Sequence, residues 1–446
     1  MTDAIAQWNT WLNGYVWGPP MIGLLVGTGI VITVLTGGIQ FRRLETVFIE
    51  VLGRHRSRGD GTVTPFQAVA TALASTVGTG NIVGVATAVV LGGPGAIFWL
   101  WVSGLFGMCT KFAEIVIALH YRERDASGIF RGGAMYVLRN GLGLPWLGGL
   151  FALLTAVAAF GIGNMVQANS LADSLNASLG VAPETTGLAL AAVTGLVILG
   201  GVRRIGEVAQ VLVPVMTVVY LAGGATILLL HLSALPAAVG LVISSAFTGA
   251  AATGGFAGST VAMALRHGIA RGLFSNEAGL GSAPMVHAAA TTDHPVRQGL
   301  YGIFEVLVDT LLVCSVTGLA LIVTGVWNSG VNGAVLSSDA FRQGLPGEWG
   351  GLIVTISVVL FGFSTVIGWS YYGETAIVYL AGTRAAIPYR IAWLVFIYLG
   401  ATGSLQLIWS VADTLNGLMA IPNLIGVLFS IPLLLRLQRE FFDTGG

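Results

Sequence analysis

Apolar stretches long enough to cross a lipid bilayer recur along the whole chain. A helix needs about 20 mainly apolar residues to cross the ~30 Å hydrocarbon layer. Stretches of this kind lie at about 19–39, 66–90, 94–119, 146–172, 186–200, 207–230, 240–290, 299–326, 349–380, 388–404 and 408–435. Charged residues make up 9% of the chain, whereas a soluble domain carries about 25%. The sequence therefore predicts an all-α membrane protein with about eleven transmembrane helices, forming one bilayer-embedded domain, 1–446.

The basic residues indicate how the chain is oriented, because cytoplasmic loops collect Lys and Arg. They follow every second predicted span, at Arg42, Arg43, Arg54, Arg56, Arg58, Arg122, Arg124, Arg131, Arg139, Arg203, Arg204, Arg297, Arg384, Arg390, Arg436 and Arg439. The opposite loops, 173–185 and 327–348, carry almost nothing basic except Arg342. Arginines, not a small-residue cleavage site, follow the first apolar run, which favours a retained span. We expect an inner-membrane protein with its N-terminus outside and its C-terminus in the cytoplasm.

Composition and missing motifs argue against several classes of protein. The 20 basic and 20 acidic residues give no net charge at pH 7, so we expect no nucleic-acid partner. Cys109 and Cys314 are isolated in apolar stretches, which argues against a disulfide framework or a zinc site. The sequence contains neither HExxH nor GxSxG, so we predict that the protein is not an enzyme and has no organic cofactor. A channel is less favoured, since no repeated filter sequence or ring of charge is present.

The eleven predicted spans can be divided into a single first span followed by two groups of five spans. A tandem repeat with an odd number of spans has its second copy inverted, as in many secondary transporters. This division makes 19–39 an extra first helix, 66–230 the first inverted repeat and 240–435 the second. Glycine-rich sequence interrupts the first helix of each repeat, at 75–81 in one and within 254–281 in the other. Paired interruptions are a strong pointer to a transport site, so we expect broken helices there.

The first interruption offers two kinds of ligand at membrane depth. Unwinding at 75–81 leaves carbonyls without partners from Ala74 to Val77, and free N–H groups from Thr79 to Asn81. The carbonyls suit Na⁺, because hard cations take oxygen ligands. The N–H groups at the start of the second half suit a carboxylate. The alternative is that Gly78 and Gly80 only let helices approach, but the neighbouring polar side chains favour a binding site.

Polar residues in two other predicted spans extend this site. Gln167 in the fourth span is a candidate for the ammonium or carboxylate of a substrate, since an amide at bilayer depth needs a partner. In the ninth span, Ser364 and Thr365 offer adjacent hydroxyls for Na⁺, and Trp369 follows about one turn later, where it would cap the pocket. The alternatives are an interhelical hydrogen bond for Gln167 and a lipid-facing ring for Trp369.

Charged residues within the spans bear on the coupling ion. Lys111 and Glu114 are three residues apart, so we expect them to pair on one helix face. The other acids at membrane level are Glu277, Glu305, Asp309, Glu374 and Asp413. None of them belongs to the 75–81 or 364–369 cluster in sequence. We therefore expect an ion site made of neutral oxygens, and favour Na⁺ over H⁺ as the coupling ion.

Longer motifs resemble one known family. They are TPFQA at 64–68 with STVGTGNI at 75–82, GGPGAIFWLW at 92–101, GNMVQAN at 163–169 and RGLFSNEAGLGSAP at 271–284. Together they resemble the alanine or glycine:cation symporter family, the sodium:alanine symporters. The resemblance covers the core from about Phe66 to Trp369. Two departures are Leu100, where the family usually has Met, and Ser75, where it usually has Ala.

The resemblance implies a LeuT-type fold, with one extra helix before two inverted five-helix repeats. It also implies roles for residues that match the family's motifs. The residues implied for Na⁺ binding are Ala74, Val77, Phe361, Ser364 and Thr365. The residues implied for substrate binding are Thr79, Gly80, Asn81, Gln167, Trp369, Phe274 and Asn276.

Together these expectations predict a secondary active transporter. It would bring a small neutral amino acid, alanine or glycine, into the cell with Na⁺ by alternating access. Two alternatives are an H⁺-coupled amino-acid symporter and a non-transporting amino-acid receptor of the same fold. The sequence sets no oligomeric state.

Overall fold

Helices make up nearly all of the regular structure in the computed structural model of the chain. The structure describes residues 2–53, 59–251, 253–254, 256–347, 349–403 and 406–443. Four residues of the patterns above lie outside these ranges, namely Arg54, Arg56, Arg58 and Gly255. A short antiparallel ribbon pairs β1, Glu123–Arg124, with β2, Phe130–Arg131. The predicted all-α class is confirmed.

The helices follow the apolar stretches. Helices α1 to α12 are Thr2–Val16, Pro19–Leu35, Ile39–Arg42, Leu44–Leu52, Pro65–Thr76, Val83–Gly92, Gly95–His120, Ala134–Tyr136, Pro145–Ala159, Val166–Leu179, Pro183–Ile198 and Gly201–Leu230. Helices α13 to α22 are Leu235–Thr248, Val261–Asn276, Pro284–His287, Pro295–Val306, Ser315–Val323, Gly333–Gly344, Trp349–Ala381, Ala386–Thr402, Gln406–Phe429 and Ile431–Asp443. Tighter 3₁₀ turns lie at Thr79–Asn81, Val326–Asn328 and Thr383–Ala385, and wider π-helical segments at Val137–Gly141, Phe160–Met165 and Leu307–Cys314.

Most of the predicted spans are long helices. Among the described residues, eight helices are long and apolar enough to cross a membrane, or nine if Pro65–Thr76 and Thr79–Gly92 count as one span bent by 57°. The predicted span 186–200 is the shorter helix α11, of 16 residues. The predicted span 240–290 is not one crossing helix, because it divides into α13, α14 and α15. The glycine-rich sequence around and within this stretch accounts for the division.

The first repeat helix begins and breaks where its sequence predicts. Thr64 Oγ1 accepts the N–H of Gln67 at 3.1 Å, and Gln67 Oε1 accepts the N–H of Thr64 at 3.1 Å, with Pro65 in the first helical turn. This reciprocal cap fixes the start of α5. The helix ends at Thr76, since Val77 has φ −76° and ψ 84° and leaves the helical region. The break predicted at 75–81 is confirmed.

The two interruptions lie beside each other in the helix bundle. Helix α7 packs on α14 and α16, and α19 packs on α5, α9 and α12. Small residues allow the close packing on α7, because a Cβ added at Gly104 would lie 2.8 Å from Thr310 Cγ2. The Thr79–Asn81 turn that follows α5 contacts both α14 and α19. The broken segments and α19 therefore enclose the candidate site.

Candidate functional site

Five oxygen-bearing residues meet where α5 ends against α19. Thr365 Oγ1 donates to the carbonyl of Ala74 at 3.2 Å and to that of Phe361 at 2.9 Å. Ser364 Oγ donates to the Phe361 carbonyl at 2.8 Å and lies 3.5 Å from the Val77 carbonyl. All five residues are buried. A hydroxyl carries lone pairs as well as a proton, so this group of neutral oxygens can also face a hard cation.

Gly78 permits the approach of α19 to the break. A Cβ added to Gly78 would overlap Thr365 Oγ1, so a larger residue would push the hydroxyl away from the carbonyls. The Gly78 N–H donates to Asn81 Oδ1 at 2.9 Å. This bond gives a partner to one N–H that the broken helix leaves free, and it fixes Asn81 beside the turn.

Thr79 and Gln167 form the polar wall next to these oxygens. Thr79 Oγ1 donates to Gln167 Oε1 at 2.8 Å, and the Thr79 N–H lies 3.4 Å from the same oxygen. Gln167 Nε2 donates to the Ile162 carbonyl at 3.0 Å. Ile162 belongs to the π-helical segment Phe160–Met165, where widened backbone pairing makes carbonyls available. The π segment therefore orients the amide toward the break.

The remaining predicted substrate residues line the second interruption. A Cβ at Gly80 would lie 3.4 Å from Phe274 Cδ1, so the ring lies against this glycine. Trp369 Nε1 donates to Glu277 Oε1 at 2.8 Å. Asn276 is fully buried, and its Nδ2 has no hydrogen-bond partner among the described residues. An unpaired buried donor costs free energy, which makes Asn276 a candidate for contact with a ligand.

Asp309 is the residue of this site that the sequence interpretation missed. Asn81 Nδ2 donates to Asp309 Oδ1 at 2.7 Å and to its carbonyl at 3.1 Å. Ser275 Oγ and Thr310 Oγ1 donate to Asp309 Oδ2 at 2.9 Å and 2.7 Å. Although no acid belongs to the two clusters in sequence, the fold brings Asp309 to Asn81 and Glu277 to Trp369. The available signal was an acid within an apolar span, which indicates a functional position by default.

The expected pair of Lys111 and Glu114 is also wrong. Lys111 Nζ lies 2.5 Å from Glu305 Oε1 and donates to the Asn276 carbonyl at 2.5 Å. Glu114 Oε1 instead accepts the N–H of Gly281 at 3.2 Å and a hydrogen bond from Asn423 Nδ2. The prediction from residue spacing along one helix failed because α7 is buried almost throughout. Each of the two charged side chains therefore faces a different neighbouring element. Both contact the second interruption.

The whole chain matches one family of transporters. The sequence profile of the sodium:alanine symporter family matches residues 2–445. The chain belongs to the sodium:alanine symporter family. The family resemblance read from the motifs is confirmed, and so is the prediction that this symporter family member is not an enzyme. Sodium-coupled amino-acid symport is the activity of the family, and the chain is a multi-pass membrane protein.

Relatives and solved structures agree with this family membership. The sodium/alanine symporter AgcS of Methanococcus maripaludis is 49% identical over 435 residues, which cover 96% of this chain and 94% of AgcS. The structure of MhsT in complex with L-phenylalanine superimposes with a TM-score of 0.56 at 15% identity, covering 86% of this chain and 99% of MhsT. A Na⁺-coupled sialic acid symporter gives a TM-score of 0.54 at 14% identity, covering 94% and 98% of the two chains. The predicted LeuT-type fold of this symporter family member is confirmed.

Proposed function

We propose that this chain moves alanine or glycine into the cell together with Na⁺ by alternating access. The observation that carries the proposal is the meeting of five oxygen-bearing residues at the end of α5, directly beside Thr79 and Gln167. An ion and an amino acid bound there would lie next to each other at a break in the helix. The relative AgcS, named a sodium/alanine symporter, supports the choice of ion and substrate.

In this proposal each group of residues has a separate task. Na⁺ is held by the carbonyls of Ala74, Val77 and Phe361 and the hydroxyls of Ser364 and Thr365. The substrate carboxylate is held at the start of the second half-helix, where backbone N–H groups and the helix dipole favour an anion. The backbone of Thr79 and Gly80 and the Nδ2 of Asn276 serve this carboxylate. Asn81, Gln167, Phe274 and Trp369 line the rest of the pocket.

Downhill entry of Na⁺ supplies the work of accumulation. One charge moving through 100 mV is worth ~2.3 kcal/mol, and 1.4 kcal/mol corresponds to about a tenfold concentration ratio. A membrane potential of about this size, added to the Na⁺ gradient, suffices for roughly hundredfold accumulation. The direction of transport follows from the proposed location in the inner membrane, with the N-terminus outside and the arginine-rich loops and C-terminus in the cytoplasm.

Coupling to H⁺ is the second candidate, and one contact favours it. The buried carboxylate of Asp309 contacts Asn81 at 2.7 Å, next to the proposed substrate position. A carboxylate in the membrane interior is a common carrier of protons in transporters. The neutral oxygens around Ser364 and Thr365 favour Na⁺ instead, because hydroxyl and carbonyl groups do not carry a proton by changing their charge, as a carboxylate does.

We expect labelled alanine to accumulate in proteoliposomes only under an inward Na⁺ gradient. The experiment compares Na⁺, K⁺ and H⁺ gradients at the same membrane potential, using the purified full-length protein. Accumulation driven by the H⁺ gradient alone would support the H⁺-coupled alternative. Binding of alanine without accumulation under any gradient would identify a receptor. Unlabelled glycine should compete with alanine, whereas phenylalanine, which is too large for a pocket capped by Trp369, should not.

Removing both hydroxyls of the proposed ion site should weaken Na⁺ activation. In the Ser364→Ala, Thr365→Ala double variant two of five proposed ligands are lost. Each hydrogen-bonding group is worth about 1 kcal/mol, so the Na⁺ concentration for half-maximal uptake should rise about tenfold or more. Ser357→Ala is the matched control, because Ser357 is also buried on α19 and its hydroxyl has no partner among the described residues. An unchanged Na⁺ requirement in the double variant would refute this assignment.

A further inference from the structure

Arg271 faces a small cavity next to the proposed substrate site. The cavity has a volume of about 50 Å³. It shares Thr79, Gly80 and Phe274 with the proposed site, and it adds the side chains of Arg271 and Thr87. Arg271 lies on α14, one helical turn before Phe274. A permanently charged guanidinium therefore stands beside the N–H groups to which an amino-acid carboxylate is assigned above.

The guanidinium of Arg271 has no anionic partner in the described part of the chain. Its Cζ lies 5.6 Å from the centroid of the Phe274 ring, and it forms no hydrogen bond or ion pair with a described residue. Several other half-buried or buried arginines of the described chain form ion pairs; Arg131 and Arg390 both bind Glu374. An unpaired charge within a membrane-embedded bundle indicates a functional position. The missing partner is an anion.

The cavity has the size of a carboxylate group. A water-sized group needs roughly 10–15 Å³ of this kind of volume, so about 50 Å³ holds three to five such groups. Guanidinium binds carboxylates through two parallel hydrogen bonds, which are among the stronger polar contacts in proteins. Thr87 lines the same space, and its Oγ1 donates to the Val83 carbonyl at 2.9 Å. The head group of a small amino acid fits this combination of volume, charge and hydrogen-bond donors.

The cavity also lies next to a wider one. Val83 lines both the small cavity and a cavity of about 760 Å³, which extends between the end of α10, α18 and the start of α19. Polar side chains line the wider cavity, including Asn169, Asp173 and Ser338. The Phe274 ring lies against Gly80 and faces the Arg271 guanidinium, whose Cζ is 5.6 Å from the ring centroid. The small cavity that Arg271 lines thus borders both the wider polar cavity and the proposed central site.

We propose that Arg271 is an accessory binding group, which receives the carboxylate of the incoming amino acid before it moves past Phe274 to Thr79 and Gly80. This assignment rests on the proposed function, because it takes a free amino acid as the substrate. The contact raises the rate of substrate capture and is released when the carboxylate reaches the backbone N–H groups. Arg271 therefore acts on substrate affinity and on its salt dependence, not on the maximal rate of transport.

The test compares Na⁺-driven alanine uptake by the full-length protein and by Arg271→Gln, Arg271→Lys and Arg266→Gln in proteoliposomes. Arg266 is the matched control, because it is an exposed arginine on the same helix that does not line the cavity. In Arg271→Gln we expect KM for alanine to rise about tenfold and the maximal rate to stay within about twofold. Arg271→Lys keeps the charge and should recover most of the affinity. Arg266→Gln should match the unmodified chain.

Ionic strength provides a readout that a purely structural role would not change. Screening by added choline chloride at constant Na⁺ weakens electrostatic capture, so KM should rise with salt in the unmodified chain and in Arg271→Lys. In Arg271→Gln the salt dependence should be lost. An unchanged KM in Arg271→Gln, or a loss confined to the maximal rate, would overturn the assignment while leaving the proposed function intact. Absence of Na⁺-driven alanine uptake by the unmodified chain would overturn the proposed function, and this inference with it.

Discussion

Asp309→Asn should lower the initial rate of Na⁺-driven alanine uptake about a hundredfold. The Asp309 carboxylate accepts hydrogen bonds from Asn81, Ser275 and Thr310 at 2.7 to 2.9 Å. An ionised carboxylate only accepts, whereas an amide brings N–H donors to a place where three donors already converge. At least two hydrogen bonds are lost, each worth about 1–3 kcal/mol in a buried setting. A loss of about 3 kcal/mol corresponds to roughly a hundredfold effect.

The control for this variant is an acid outside the site. Glu184 is exposed at the start of α11, so Glu184→Gln should transport at the unmodified rate. Uptake by Asp309→Asn at the rate of Glu184→Gln would show that the carboxylate is not needed. The same variant separates the two coupling ions. If Asp309 carried a proton, its removal would abolish any response to an H⁺ gradient, whereas the lowered Na⁺-driven uptake would still depend on Na⁺.

Lys111→Met should destabilise the folded protein by about 3–5 kcal/mol, the usual effect of removing one member of a buried ion pair. Lys111 and Glu305 are both fully buried, with Nζ and Oε1 2.5 Å apart. Without the ammonium group, Glu305 keeps His287 at 3.3 Å as its one hydrogen-bond partner among the described residues, and the Asn276 carbonyl loses the donor from Lys111. The midpoint of thermal unfolding in detergent should fall markedly. Loss of the hydrogen bond from Lys111 to the Asn276 carbonyl at the end of α14 should also reduce substrate binding.

Two further variants show whether the unpaired charge is the cause. Lys111→Met combined with Glu305→Leu removes both charges, and it should recover much of the lost stability because apolar replacement of a whole pair is often tolerated. Arg204→Met breaks an exposed pair with Glu207, and we expect little change because exposed ion pairs contribute little. If the double variant were as unstable as Lys111→Met alone, packing and not charge would explain the loss.

The parts of the fold that the sequence could predict are those with local causes. The reciprocal cap of Thr64 and Gln67 and the break at Val77 depend on residues within a few positions of each other. The same holds for the adjacent hydroxyls of Ser364 and Thr365, whose spacing from Phe361 follows from one helical turn. The contact of Thr365 with Ala74, 291 positions away in the chain, was predicted from ligand chemistry and the family resemblance, and not from any local pattern.

The contacts that the sequence could not predict join distant elements through irregular helices. Asp309 lies in the π-helical segment Leu307–Cys314, where the α-helical period of 3.6 residues no longer tells which way a side chain points. Lys111 lies on a helix that is buried almost throughout, so no exposed face marks which neighbour it contacts. Arg271 belongs to a family motif, but only the structure shows that it borders a cavity and that no described acid pairs with it.

The position of the Gln167 amide depends on the number of residues in the π-helical segment Phe160–Met165. A π turn closes over one residue more than an α turn, and here the Ile162 carbonyl is used by Gln167 Nε2 at 3.0 Å. Deleting one residue within the segment would close the turn to ordinary α-helix and return that carbonyl to the backbone. The amide would then lose its support without any change in the residues that line the pocket. A related chain that lacks one residue within 160–165 would therefore have a pocket in which the amide equivalent to Gln167 lacks this hydrogen bond.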